Sequence, residues 1–155
     1  RMMITESDNS ATNMIMARLG SMTDINQGLR EWGLKHTYVQ TWLPDLGGTN
    51  HSTARDMATI LYNIDNPQFL STSSREKIFD YMGHVHNNRL IAAAGAEFLH
   101  KTGDIGKMLG DAGIVFAPNG KKYIVVIFAN RPHNSPLGKE FIVKASETIY
   151  NYMVR

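Results

Sequence analysis

Two tripeptides stand out for what their side chains can do. Ser7-Asp8-Asn9 sets a hydroxyl, a carboxylate and a carboxamide side by side, and far downstream Lys101-Thr102-Gly103 sets an ammonium, a hydroxyl and a residue with no side chain. A serine hydroxyl can relay a proton to a leaving amine, and a carboxamide both donates and accepts, so Asn9 suits a substrate carbonyl and a nearby lysine. Asp8 braces the turn. Lys101 and Thr102 suit a free carboxylate, and Gly103 lets the backbone of a bound peptide approach closely enough to pair as an added strand. The N–H of Asp104 then forms half of an oxyanion hole. These are the needs of acyl transfer from a peptide that ends in a carboxylate, with Ser7, Asn9 and Lys101 catalytic and Thr102, Gly103 and Asp104 binding substrate. The plainer alternative is that Ser7-Asp8-Asn9 only caps a helix and that Lys101-Thr102 is only an exposed strand end.

The elements that must position these residues change character along the chain. Helical spacing runs over Ser10 to Leu19, where Gly20 stops it, and over Thr23 to Trp32, with Gly33 as its end. From Thr37 to Ser52 the sequence is irregular, with Pro44 and Gly47-Gly48, and is read as a functional loop. Helical spacing resumes over Thr53 to Tyr62, then in a helix capped by Ser73 or Ser74 that runs through Ile78, Phe79 and Met82. Leu90 to Ala94 reads as one further turn or two. Strands follow at Glu97–Thr102, Ala112–Phe116 and Tyr123–Ala129, and Asn119-Gly120 makes the last two an antiparallel hairpin. A helix over Leu137 to Met153 presents Phe141, Ala145, Ile149 and Tyr152 to the sheet. Helices first, then an antiparallel sheet under a terminal helix, define an α+β fold of the α/β sandwich type. It divides into a helical part (1–88) and a sheet part (89–155).

Composition removes several functions. The 155 residues are 43% hydrophobic, enough for one domain with a core, and the longest apolar run, Tyr123 to Ala129, is far too short to span a membrane. No signal-peptide core is visible at the N-terminus. Sixteen basic against 14 acidic residues give a net charge of +2, with Lys121-Lys122 the one basic doublet, so no nucleic-acid partner is expected. With no cysteine there is no thiolate nucleophile and no cysteine-ligated zinc. His84-Val85-His86 lacks a third ligand nearby and reads as a solvated pair; neither a metal nor a cofactor is expected. Trp32 and Trp42 read as core filling, with an anchor for the loop beside Leu43 as the alternative for Trp42.

Beyond the two tripeptides, Thr41-Trp42-Leu43-Pro44-Asp45-Leu46, Thr53-Ala54-Arg55-Asp56-Met57-Ala58 and His100-Lys101-Thr102-Gly103 occur in the order found in class A β-lactamases, the penicillin-recognising serine enzymes. The resemblance extends over the whole chain. It implies a β-lactamase/transpeptidase-like fold, a peptidoglycan stem peptide or a β-lactam as partner, and a periplasmic location. The sequence departs from that family in instructive places. The glutamate that activates the deacylating water stands directly before the loop proline, and here that position is Leu43. The asparagine three residues after the proline is replaced by Gly47, and the loop is short. The arginine expected on the strand after Lys-Thr-Gly falls at Asp111 or Ala112.

The family nucleophile lies in a Ser-x-x-Lys motif well ahead of Ser-Asp-Asn. Ser74-Arg75-Glu76-Lys77 matches the pattern but follows Ser7 and reads as a helix start. The expectation is therefore a C-terminal part of a longer enzyme, whose N-terminal segment carries Ser-x-x-Lys and strands that pair beside Tyr123–Ala129. With Leu43 the pattern is most similar to the cyanobacterial penicillin-binding protein A group, which has the class A fold and acts as a D,D-peptidase. A class A β-lactamase using another base, or a non-catalytic peptidoglycan-binding remnant, are the alternatives.

Overall fold

Polar side chains set where the helices of the first half begin. In the computed structural model, which describes residues 1–87 and 89–155, a short α1 (Met2–Thr5) precedes α2 (Asn9–Leu19), and Glu6-Ser7-Asp8 forms the corner between them. Asp8 caps α2 by accepting the Ala11 N–H at 2.6 Å. α3 (Met22–Glu31) opens with a capping box in which Ser21 and Asp24 each accept the other's backbone N–H. α4 (Ala54–Asp65) starts on Thr53, whose hydroxyl accepts the Asp56 N–H at 3.1 Å. Each contact satisfies a donor that the first helical turn leaves unpaired. α5 (Thr72–Gly83) corrects one expectation. Ser73 and Ser74 lie inside its first turn, and it is the Ser71 hydroxyl that accepts the Ser74 N–H, at 3.3 Å. α1, at four residues, is too short to leave a periodic signature in sequence.

The chain forms two compact units, 1–81 and 82–155. The boundary expected at 88/89 adjoins Asn88, which lies outside the described residues. In the second unit β1 (Glu97–Ile105), β2 (Met108–Phe116) and β3 (Lys122–Asn130) form an antiparallel sheet in that order. β1 and β2 run further toward their shared turn than local propensity indicates, because residues such as Gly103, Asp104 and Gly110 are weak strand formers that pairing recruits. Gly106, at φ 58°, is the first of two central residues joining Ile105 to Met108, the place where a type II′ hairpin needs glycine. In the β2–β3 hairpin Gly120 alone has positive φ, and its N–H bonds the Ala117 carbonyl. Asn119 stays right-handed, so a turn followed by one left-handed glycine replaces the two left-handed residues that Asn-Gly suggested.

The core of this unit joins Leu109, Val115, Val125, Ile127 and Ala129 of the sheet to Ile142 of α6 (Leu137–Met153), with Ile91 and Ala93. α6 is rotated from the expected orientation. Gly138, Ile142 and Ser146 are its buried residues, while Phe141 is 56% and Tyr152 74% exposed. Ser146 can sit inside because its hydroxyl accepts the Ala92 N–H at 2.8 Å and donates to the Val143 carbonyl at 2.8 Å. The same bond explains why Leu90–Ala94 forms no helix: the Leu90 and Ile91 N–H groups bond Asp111, at 2.8 and 3.2 Å, and that of Ala92 bonds Ser146.

Candidate active site

Ser7, Asn9 and Leu43 belong to the first unit, Lys101 to Asp104 to the second. At the entry to α2, Ser7 holds φ at 56°, the left-handed region that a residue with a Cβ occupies at a cost of about 1–2 kcal/mol. Asp8 is committed to the cap, and Asn9 is the first helical residue, exposed to solvent. Asp8 thus braces the turn, as its side-chain chemistry anticipated. Ser74, by contrast, lies exposed on α5 and accepts a hydrogen bond from the Ser71 hydroxyl at 2.9 Å, with Lys77 also exposed.

The loop 37–52 is pinned by side chains that imitate backbone. Asn13, one turn into α2, donates to the Leu43 carbonyl at 2.7 Å and accepts the Leu43 N–H at 2.9 Å. Asn26 of α3 does the same for Val39, at 2.7 Å both ways, and Asn50 accepts from the N–H groups of Gln40 and Thr41. Asp45, the one carboxylate of the loop, is buried and accepts the Asn50 N–H at 2.6 Å and the Thr49 hydroxyl at 3.2 Å. Trp42, expected in a core, is 45% exposed; the anchoring comes from the backbone bonds beside it. Asn13 and Asn26 escaped the sequence reading. Their signal was a carboxamide inside a helix, where asparagine competes poorly unless its side chain has a partner. Replacing Asn13 by alanine should therefore cost about 1–3 kcal/mol and raise amide exchange over 39–50 before the rest of the first unit, because two backbone groups lose their partners.

Two carboxylates make this loop acid-sensitive. The Asn50 and Thr49 N–H groups hold Asp45 below its usual range. Burial pushes Asp56 up, but the Thr37 hydroxyl and the His36 N–H, at 2.8 and 2.7 Å, outweigh it and leave it below 3.8. A depressed folded pKa gives stability that is complete above the unfolded value and lost as pH falls through the folded one. The amide resonances of Val39, Leu43 and Asn50 are thus expected to stay native through the ordinary carboxylate range and to shift only at lower pH, as Asp45 and Asp56 take up protons.

In the second unit the outer edge of β1 has no strand partner among the described residues. Register decides what that edge offers. The two-residue turn makes Ile105 and Met108 a hydrogen-bonded pair, so Asp104 and Thr102, in the alternate pairs with Leu109 and Asp111, point their backbone N–H and C=O outward. Lys101 curls to this edge, its Nζ donating to the Thr102 carbonyl at 2.9 Å. Burial lowers the Lys101 pKa, and the negative charge of Asp111 works against that shift. A Cβ built on Gly103 meets nothing within 4 Å, so nothing inside the chain requires glycine there. Asp111, one of the two positions at which the arginine was expected, is fully buried; beyond Leu90 and Ile91 it faces the His100 Nδ1 at 3.2 Å. It supports the strand from beneath instead of facing a ligand.

A two-unit chain with these motifs has close counterparts among known proteins. Residues 1–153 match the beta-lactamase enzyme family, and the chain belongs to that family. Among solved structures, PBP-A superposes with a TM-score of 0.92 at 43% identity, covering 97% of this chain and 58% of that one. A leucine-to-glutamate mutant of PBP-A, an acyl-enzyme complex with penicillin-G, superposes at 0.93 with 42% identity over the same shares. Among curated relatives, the beta-lactamase of Bacillus subtilis (strain 168) is 28% identical over 96% of this chain and 52% of its own length. The extended-spectrum beta-lactamase PER-1 of Pseudomonas aeruginosa is 24% identical over 98% and 55%. The chain therefore spans about half the length of the curated relatives it matches.

Proposed function

We propose that this chain is part of a penicillin-binding serine D,D-peptidase of the D-alanyl-D-alanine carboxypeptidase type, acting in the periplasm on peptidoglycan stem peptides. Acylation uses a Ser-x-x-Lys nucleophile supplied by sequence outside these 155 residues. Ser7 relays the proton to the leaving amine. Asn9 holds the acylated amide and the nucleophile's lysine. Lys101 and Thr102 take the substrate carboxylate, the open backbone edge at Thr102 and Asp104 pairs with the peptide where Gly103 leaves room for its approach, and the Asp104 N–H faces the developing oxyanion.

The observation that carries the peptidase reading over β-lactam hydrolysis is Leu43. Asn13 fixes its backbone at both polar groups, and the one carboxylate nearby in the loop, Asp45, is engaged with Asn50 and Thr49. A leucine cannot deprotonate water, so an acyl-enzyme formed from penicillin is long-lived. The test is intact-mass measurement of the protein containing this chain after mixing with benzylpenicillin, over minutes to hours. A persistent penicilloyl adduct is expected. Rapid conversion of the drug without an adduct would point to a β-lactamase with another base. An unmodified protein and unchanged drug would point to a non-catalytic remnant.

A further inference from the structure

The strand arginine that the family resemblance implies falls here at Asp111 or Ala112, yet an arginine does reach the Asp104 end of β1 from elsewhere. Arg131, just past β3, directs its guanidinium to three acceptors: Asp104 Oδ1 through Nη2, the Gly106 carbonyl through Nε at 3.2 Å, and the Ser135 carbonyl through Nη1 at 3.2 Å. Its own N–H bonds the Lys107 carbonyl at 2.8 Å, and Asn134 N–H bonds Gly106 at 3.0 Å. The segment 131–135 therefore folds over the β1–β2 turn, closely enough that a Cβ on Gly106 would lie 2.8 Å from His133. The Arg131 side chain is 7% exposed and that of Asp104 is 56% exposed. So buried a guanidinium, with three acceptors engaged, is not presented to a ligand.

We infer that Arg131 is a positioning residue that clamps Asp104 and Gly106, holding the Gly103–Gly106 end of β1 at the geometry the oxyanion donor needs and neutralising the Asp104 carboxylate beside an anionic substrate. This rests on the peptidase reading above. The fork of a guanidinium explains why arginine stands here: it engages a carboxylate and a carbonyl from one rigid plane, which an ammonium cannot. Charge explains the pairing. Asp104 follows the residues that receive a carboxylate, and left unpaired it would repel one. Because the outward N–H of Asp104 lies near the turn end of the edge strand, no strand among the described residues restrains it from its open side, and restraint comes through the side chain and the turn.

Two variants separate the clamp from the fold. Arg131→Lys keeps charge and most of the volume but removes the fork; Asp104→Ala alters only an exposed side chain. In the protein containing the chain, both are expected to raise amide exchange at Ile105, Met108, Arg131 and Asn134, whose N–H groups are bonded at this turn, at least tenfold while leaving exchange in 112–116 and 123–129 unchanged. In the protein containing the chain, both are expected to slow the first-order acylation step by benzylpenicillin at least tenfold, and the double variant to be no worse than the poorer single one. Exchange at these four residues that does not change, or that rises equally throughout the sheet, would overturn the clamp. Tenfold-faster exchange with unchanged acylation would overturn the positioning role. Failure of the unmodified protein to acylate at all would instead overturn the peptidase reading, and with it any catalytic role for the clamp.

Discussion

Leu43→Glu is expected to shorten the lifetime of the penicilloyl adduct by about 10²- to 10⁴-fold, the range a positioned general base contributes. The expectation rests on how the loop is held. Asn13 bonds both polar backbone groups of residue 43, so a new side chain at that position inherits a fixed Cα and backbone direction and spends little conformational entropy on finding its place. Leu43 is half-buried, so the introduced carboxyl is partly desolvated and its pKa moves upward, toward that of a useful base. Acylation should change much less than deacylation, because on this reading acylation already proceeds with leucine at position 43, whereas activation of the deacylating water lacks a base until the glutamate is introduced. The measurement is pre-steady-state acylation and adduct decay for the unmodified protein and the variant, followed by intact mass. Equal adduct lifetimes would show that position 43 does not face the deacylating water.

The second large effect is expected at Lys101. Lys101→Met should lower acylation efficiency by benzylpenicillin about 10²- to 10³-fold, from the loss of a charge-assisted contact together with the loss of a proton-handling group. Stability should move the other way. Burial depresses the Lys101 pKa below 10.5, so the folded state disfavours the ammonium. A lysine with a lowered folded pKa costs stability at neutral pH, and that cost disappears as pH rises from the folded value toward the unfolded one, where the unfolded chain binds more protons. Methionine removes the cost at every pH, while Asp111 keeps the donors of Leu90, Ile91 and His100. The variant should thus melt no lower than the parent at pH 7 and lose the rise in stability between the two pKa values. Thermal melts at pH 7 and over pH 8–11, alongside acylation kinetics, check both halves. A variant that melts well below the parent would mean that Lys101 holds the strand together and that its catalytic effect cannot be read separately.

Local chemistry made much of the fold and both halves of the candidate site legible in the sequence. The cap chemistry of Ser7-Asp8-Asn9, the helical spacing of the first half, the three strands and the Asn119-Gly120 hairpin all act through neighbours a few residues apart, whereas the caps at Ser21 and Thr53 emerged only from the structure. Ser7-Asp8-Asn9 and Lys101-Thr102-Gly103 are contiguous, and the significance of Leu43 follows from its standing before Pro44.

Tertiary structure decided what depends on distant partners. No pattern in α2 says that Asn13 reaches residue 43, thirty positions on, and none in β3 says that Arg131 returns to Asp104, because a polar side chain carries no label for the backbone group that will satisfy it. The rotation of α6 is of the same kind. Its apolar stripe is broader than the face the sheet can bury, and the bond from Ala92 to the Ser146 hydroxyl selects which part turns inward. Likewise Asp111 is an ordinary strand residue by sequence, and only the approach of Leu90 and Ile91 makes a buried carboxylate tolerable beneath Lys101. The sequence by itself determined which side chains are available for the proposed acyl-transfer chemistry; the pairing of remote donors and acceptors, which burial makes obligatory, decided how the elements that carry them are held.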